Sequence, residues 1–242
     1  MHKNVVLIPT YNEAESIGDL LAQLRNCAID VLVIDDDSPD GTARVVTNLG
    51  LDYVKVINNG KKKGIGPAYV TAMGIAIAAG YEKIATMDAD GSHLVSDLEN
   101  LFVNSQDFDV VMGTRWMPAG LVSNWDPKRI YLSKFGTWYA RICLALPYRD
   151  LTGGLRVYDA KKLEMLNLLR IRSNGYCFQI EMIKALHSLE VSIKEVPIHF
   201  IERREGVSKM SQNIVAEAFL RVTLWGFKRM LRFNADNAHY VK

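Results

Sequence analysis

Val31-Leu32-Val33-Ile34-Asp35-Asp36-Asp37-Ser38-Pro39-Asp40-Gly41-Thr42 is the stretch that decides the fold. Its apolar residues run without alternation, as in a strand buried on both faces, and they end on a knot of carboxylates, Ser, Pro and Gly. A helical spacing of apolar residues follows over 41–49. The start of the chain repeats this order: Val5-Val6-Leu7-Ile8 runs into Pro9-Thr10-Tyr11-Asn12-Glu13 and a helical pattern over 13–25. Further apolar runs at 53–57, 84–87 and 110–112 alternate with helical stretches at 67–79 and 96–104. The succession predicts an α/β chain, a mostly parallel sheet with helices on both faces. Ligands of such sheets sit beyond the carboxyl ends of the strands, so the residues just after each run are the ones to weigh.

The second half is less regular. Helical patterns at 130–146 and 178–189 flank Thr152-Gly153-Gly154, and a strand over 193–201 leads into a polar loop at 202–212. The expected organisation is one domain over 1–212, followed by an amphipathic helix and tail over 213–242. On a helical wheel Glu217, Arg221, Lys228 and Arg232 share one face, and Phe219, Val222, Met230 and Phe233 lie opposite. Either a helix docked on the core or one lying at a membrane interface fits that pattern. The tail over 234–242 carries no motif.

Composition narrows the class. The 242 residues are 49% hydrophobic, which suits a globular core and not a disordered chain. With 29 basic and 27 acidic residues the net charge is +2, too balanced for a dedicated nucleic-acid binder. Cys27, Cys143 and Cys177 stand far apart without a CxxC pair, which argues against a disulfide scaffold or zinc site and for a reducing compartment. The N-terminus enters a strand pattern at once, unlike a signal peptide. The apolar segment 214–233 carries too many charges to span a bilayer.

Asp88-Ala89-Asp90 follows the run at 84–87. Two carboxylates one residue apart repel each other unless a cation neutralises them, and hard oxygen donors suit Mg²⁺ or Mn²⁺ with a substrate diphosphate completing the shell. A helix-capping turn is the alternative; the Asp35–Thr42 stretch likewise reads either as a turn with a helix cap or as carboxylates at the sheet's edge that grip a nucleoside's ribose or base. His93 reads as structural. Gly64-Ile65-Gly66 lacks the third glycine and the preceding strand of a dinucleotide loop. Arg115, Lys128 and Arg129 follow the fifth run, and Arg203, Arg204 and Lys209 make the late loop basic, suited to phosphates.

Together these motifs resemble the inverting family 2 glycosyltransferases of the GT-A fold, a Rossmann-like architecture. Gly113-Thr114-Arg115, Asn124-Trp125-Asp126, Asp150-Leu151-Thr152-Gly153-Gly154, Gly175-Tyr176-Cys177-Phe178-Gln179 and the Arg203–Lys209 loop narrow the likeness to dolichol-phosphate (polyprenol-phosphate) mannosyltransferases. The resemblance implies that Pro9, Tyr11, Glu13, Val33 and Asp35 hold the guanosine of GDP-mannose. It implies Asp88 and Asp90 as ligands of the divalent metal, with Ala89 against the nucleotide and Ser92 near the metal. Arg115, Arg203 and Lys209 would contact donor phosphates or sugar, and Arg129 and Ser133 the acceptor phosphate, making Asp88, Asp90, Arg115 and Arg129 the reaction's main groups. Asp37 stands where the family more often has glycine.

A phosphomonoester has its second pKa near 6, so at neutral pH it is largely a dianion and attacks without a protein base. The expected product is a β-linked polyprenyl (dolichyl) mannosyl phosphate, formed on the cytoplasmic face of a membrane to which the protein binds peripherally, directly or through an anchoring partner. Two other readings share most motifs: a polyprenol-phosphate glucosyltransferase using UDP-glucose, and a non-catalytic nucleotide-sugar-binding subunit. A phosphohydrolase is a third, but its phosphoaspartate signature belongs on the first strand, not the fourth.

Overall fold

The computed structural model describes residues 2–202, 212–231 and 240–241. Strands β1 (Asn4–Thr10), β2 (Asp30–Asp35), β3 (Val54–Asn58), β4 (Lys83–Thr86), β5 (Val110–Thr114), β7 (Arg156–Asp159) and β8 (Ile193–Pro197) form a seven-stranded sheet in the order β3-β2-β1-β4-β7-β5-β8. Every pairing is parallel except those of β7, which runs antiparallel to both β4 and β5. A separate two-stranded sheet joins β6 (Leu121–Ser123) to β9 (His199–Ile201).

Alternation along the strands divides the core. Val5, Leu7, Leu32, Ile34 and Met112 face one hydrophobic layer with Tyr69, Phe178 and Val222, while Val6, Ile8, Val31, Val33 and Val111 face the other with Ile17, Leu98 and Leu101. Helices α1 (Ile17–Leu24), α2 (Thr42–Asn48) and α4 (Val95–Asn104) follow the first, second and fourth strands. Helix α3 (Ile65–Ala78) supplies Tyr69 and Met73 to the opposite layer. The expected mostly parallel sheet with helices on both faces is thus observed.

The second half departs from the sequence reading at particular residues. Strand β7 is not a continuous apolar run because it opens on Arg156, which is fully buried and satisfied by two carbonyls, Nη1 donating to Gln179 O at 2.7 Å and Nη2 to Leu151 O at 3.0 Å. The single strand expected over 193–201 divides at Pro197, which has no N–H to continue a ladder. Ile198 bridges the two sheets, its N–H donating to Thr114 O at 3.2 Å and its carbonyl accepting from Leu121 N at 3.0 Å. Helix α5 (Pro127–Leu144) starts three residues before the expected 130 because Asp126 caps it, accepting from Lys128 N at 2.7 Å, and Pro127 occupies the first turn.

Short helix α6 (Ala160–Met165) follows β7, and α7 (Gly175–His187) packs beneath the last helix, α8 (Gln212–Met230). Helix α8 is docked and exposed at once. Val222 is buried and a Cβ at Gly226 would lie 2.9 Å from Cys143 Cβ, so this side seats on α5. Phe219 also turns inward, its ring tilted and 5.1 Å from that of Tyr139, so Phe219 and Val222 of the expected apolar face dock on the core, whereas Met230 is exposed and Phe233 lies outside the described residues; the outward apolar residues are Leu220, Leu224, Phe227, Met230 and Leu231. Residues 240 and 241 are also tied down: Val241 bridges Leu166, and the Tyr240 hydroxyl donates to Glu181 Oε1 at 3.0 Å.

Candidate active site

The carboxyl ends of β1, β2, β4 and β5 open on a cleft of ≈ 470 Å³. Pro9, Tyr11, Glu13, Asp88, Ala89, Asp90, Arg115 and Arg129 all line it, so the structure gathers residues the sequence placed far apart. Val33 does not reach this wall: strand alternation turns it into the core layer with Ile8 and Ile17. Arg203 and Lys209 lie outside the described residues.

The acidic turn after β2 divides its labour. Asp35 is buried and accepts from Thr10 Oγ1 at 2.9 Å, Ser38 Oγ at 2.6 Å and Ser38 N at 2.8 Å, so its carboxylate shapes the turn and is absent from the cleft wall. Asp36, not singled out from sequence, does line the cleft and fastens the loop before α3 through Asn59 Nδ2, Lys63 N and Gly64 N at 2.8–3.0 Å. Asp37 adopts φ 60°, the left-handed region that glycine prefers and Asp tolerates, so the turn survives the substitution. Asp40 and Thr42 reach across to Ala14 N and Glu13 N, each at 3.0 Å, locking the two acidic segments together. Both expected roles of this stretch, turn and cleft wall, are therefore present on neighbouring residues.

The discarded Gly64-Ile65-Gly66 segment also belongs to the wall, since Gly64 and Ile65 line it. A Cβ at Gly66 would strike Ser173 O, so the glycine lets α3 start directly against the segment that leads into α7. Lys62, three residues earlier than Ile65, stands 3.7 Å over the Tyr11 ring.

At the end of β4 the question is whether a metal fits. Asp88 keeps a third of its side chain exposed toward the cleft. Behind it the buried His93 brings Nε2 to 3.4 Å and packs edge-on against Phe200. Across from it, a Cβ at Gly154 would stand 3.3 Å and 3.4 Å from the two Asp88 oxygens, so glycine leaves room around that carboxylate. Among the described residues no group of three His, Cys, Asp or Glu forms a ready-made site. A pair of carboxylates with open space suits a hard cation whose shell a ligand completes. Ser92 is buried, is not part of the wall, and meets Asp90 through its backbone N–H at 3.1 Å.

Arg115, buried, forks onto the fully buried Asp150: Nε to Oδ2 at 2.6 Å and Nη2 to Oδ1 at 2.8 Å, with Nη2 also donating to Thr152 Oγ1 at 2.9 Å. Burial alone pushes the Asp150 carboxyl up, but the Arg115 guanidinium and the N–H groups of Arg115 and Thr152 outweigh it and hold the group below the usual carboxylate range. Trp116, Trp125 and Phe200 surround the guanidinium at 5.2–5.5 Å. Sequence reading placed Asp150 in a motif without a task; its task depends on a partner 35 positions away.

Arg115, Trp125, Arg129 and Thr152 border a second space as well, a small apolar groove of ≈ 80 Å³ running between α5 and α8. Ser133, Leu132, Gly136, Phe219 and Val222 continue its walls, and Ser133 Oγ lies 3.4 Å from Thr152 Oγ1. Arg129 stacks 4.1 Å over Trp125 and pairs with Glu202. Gln179, the last residue of the Gly175–Gln179 motif, lines the cleft, and its buried Oε1 has no hydrogen-bond partner among the described residues.

Two sugar transferases share this architecture. Glucosyl-3-phosphoglycerate synthase from Mycobacterium tuberculosis, in complex with phosphoglyceric acid, aligns with a TM-score of 0.66 at 16% identity over 92% of this chain and 79% of that one. A mannosyltransferase from Pyrobaculum calidifontis in complex with GDP-Man and Mn²⁺ aligns at 0.59 with 17% identity, over 95% and 64% of the two chains. The fold is GT-A. Residues 5–166 match the family described as Glycosyl transferase family 2. The similarity extends further to an undecaprenyl-phosphate mannosyltransferase from Micrococcus luteus, 41% identical over 92% of this chain and 93% of that protein. A polyprenol monophosphomannose synthase from Mycolicibacterium smegmatis is 37% identical over 95% and 89%. This chain belongs to glycosyltransferase family 2.

Proposed function

We propose that the protein moves mannose from GDP-mannose to the phosphate of a polyprenyl (dolichyl) phosphate, inverting the anomeric centre. The observation that carries this reading is a wall shared by two unlike spaces. The cleft with the paired carboxylates and the apolar groove have Arg115, Trp125, Arg129 and Thr152 in common. A nucleotide sugar suits the first and a prenyl chain the second, with the two phosphates meeting at the arginines. The mannosyltransferase names of the two relatives at 37% and 41% identity support the sugar and the acceptor.

Pro9, Tyr11, Glu13 and Asp36 take the nucleoside, and Val33 and Asp35 support them from the core and the turn. Asp88 and Asp90 hold a divalent cation, Mg²⁺ or Mn²⁺, which neutralises charge on the departing diphosphate. Arg129 and Ser133 receive the acceptor phosphate, and Arg115, clamped by Asp150, holds its positive charge between donor and acceptor. The acceptor phosphate is already a nucleophile at neutral pH, so the chain's work is to align it and to stabilise charge.

No helix among the described residues is long and apolar enough to cross a membrane. Two packed helices instead carry outward apolar stripes at the same spacing: Tyr131, Phe135, Trp138 and Ile142 on α5, and Leu220, Leu224 and Phe227 on α8, continued by Leu231 directly after it. Exposed bases such as Lys134, Arg141, Lys228 and Arg229 flank them. This surface supports peripheral binding to a membrane from its cytoplasmic side, where the groove's lipid would be delivered.

The deciding experiment follows labelled sugar into organic-extractable lipid, with purified protein, Mn²⁺ and a polyprenyl phosphate. Label entering from GDP-mannose and not from UDP-glucose is the expected outcome. Label from UDP-glucose alone would move the donor to the glucosyl rival, and none from either would leave a sugar-nucleotide-binding subunit.

A further inference from the structure

Arg129, the cation assigned above to the acceptor phosphate, already holds an anion. Its Nη1 donates to Glu202 Oε1 at 2.8 Å, with 20% and 35% of the two side chains exposed, while Trp125 covers the guanidinium at 4.1 Å. Glu202 stands directly after β9, and its backbone N–H donates to Ser123 O at 3.1 Å. The backbone is pinned beside β6, so exchange at Arg129 needs only rotation of the Glu202 side chain. A phosphate set on Arg129 brings its charge up against that carboxylate in a partly dehydrated corner, and like charges so placed repel. Phosphate and Glu202 therefore compete for one guanidinium.

We propose that Glu202 is a displaceable counter-ion of Arg129 that tells the acceptor phosphate before transfer from the same phosphate after it. The inference rests on the assignment of Arg129 to the acceptor. In the transfer, an oxygen of the phosphomonoester dianion forms a bond to the anomeric carbon. The bond from that carbon to the nucleotide diphosphate breaks, and its electron pair leaves with the diphosphate. The lipid phosphate becomes a diester with one negative charge in place of two, the nucleotide gains one, and no proton moves. A dianion displaces the Glu202 carboxylate from Arg129; a monoanionic diester holds the same guanidinium less well and yields it back. Glu202 thus admits the substrate and helps dismiss the product, by charge alone.

Glu202→Gln keeps the size and removes the charge. Wild type and variant are compared with GDP-mannose and polyprenyl phosphate in detergent micelles, measuring both Michaelis constants and inhibition by the purified mannosyl phospholipid. In the variant the acceptor KM is expected to fall about two- to fivefold, the size of effect usual for a part-exposed pair. The product's inhibition constant falls by a smaller factor, because a phosphate that leaves Arg129 to Glu202 gains less when that carboxylate loses its charge, and the donor KM stays unchanged. Glu202→Ala is expected to shift the ratio of product inhibition constant to acceptor KM in the same direction, which separates charge from packing. An unchanged ratio in both variants overturns the proposal, as does a donor KM that moves as much as the acceptor KM. Arg129→Ala serves as the separate control: if it leaves the acceptor KM unaltered, the acceptor assignment fails and the proposal falls with it.

Discussion

Arg115 and the fully buried Asp150 form a two-point ion pair, at 2.6 Å and 2.8 Å, on the wall that the cleft and the apolar groove share. Such a pair is a poor investment in stability, because dehydrating both charges offsets most of their attraction. Its position explains it better, since a clamped guanidinium cannot swing away when the groove is empty. Asp150→Ala leaves Arg115 buried without its counter-charge and is expected to cost about 3–5 kcal/mol in urea unfolding. The double variant Arg115→Met, Asp150→Leu is expected to regain much of that stability while transfer stays at least about a hundredfold down. Because the Asp150 carboxyl is depressed in the folded state, its contribution is present at neutral pH and lost as the pH falls below the ordinary carboxylate range and through the depressed value. Wild type should therefore lose stability in acid more steeply than the double variant, which a pH series of unfolding midpoints checks.

The space around Asp88 makes a second prediction. A Cβ at Gly154 would stand 3.3 Å from one Asp88 oxygen, tight enough that the part-exposed carboxylate must shift by a few tenths of an ångström. Gly154→Ala is expected to leave the unfolding midpoint nearly unchanged and to raise the Mn²⁺ concentration for half-maximal transfer about tenfold, a displacement worth about 1.4 kcal/mol. Asp90→Ala should abolish metal-stimulated transfer outright. Equal metal titrations for wild type and both variants would remove these carboxylates from the metal site.

Arg129→Ala separates the two substrates. Arg129 touches the groove and the cleft, yet its neighbours Ser133 and Leu132 belong to the groove alone. The variant is expected to raise the acceptor KM about tenfold or more, as loss of a charge-assisted phosphate contact does, and the donor KM much less. Equal rises in both constants, from full initial-rate grids, would place Arg129 on the donor instead.

How far the chain discloses itself depends on where each residue's partner lies. Strands β1 and β2 are legible because burial on both faces demands unbroken apolar runs, and Asp88 and Asp90 because a strand's end makes crowded carboxylates conspicuous. Strand β7 is hidden by Arg156, whose charge reads as surface until the carbonyls of Gln179 and Leu151 are brought to it by the fold. Asp35 and Asp36 are the same residue type side by side, and only the twist of the turn sends one to Ser38 and the other to the cleft. The helix start at Pro127 was there to be read, since Asp-Pro before an apolar repeat is a cap and first turn, whereas the Glu202 contact to Arg129 spans 73 positions and leaves no local trace.

The outward stripes of α5 and α8 carry the remaining prediction. Trp138 and Phe227 are more than half exposed, at 54% and 61%, on two helices that pack against each other. Water meets these rings in the isolated protein, and burying each in the headgroup region removes apolar area from it at about 25 cal/mol per Å². Trp138→Glu with Phe227→Glu reverses that gain and adds repulsion from anionic lipid, so co-sedimentation with vesicles containing anionic phospholipid is expected to fall at least about tenfold. Neither residue lines the cleft or the groove, and transfer to a short-chain prenyl phosphate in solution should continue at near wild-type rate. Transfer to long-chain acceptor in vesicles should fall with the binding. If the double variant still sediments with vesicles like wild type, the stripes face something other than lipid, and a protein that covers both helices becomes the occupant to seek.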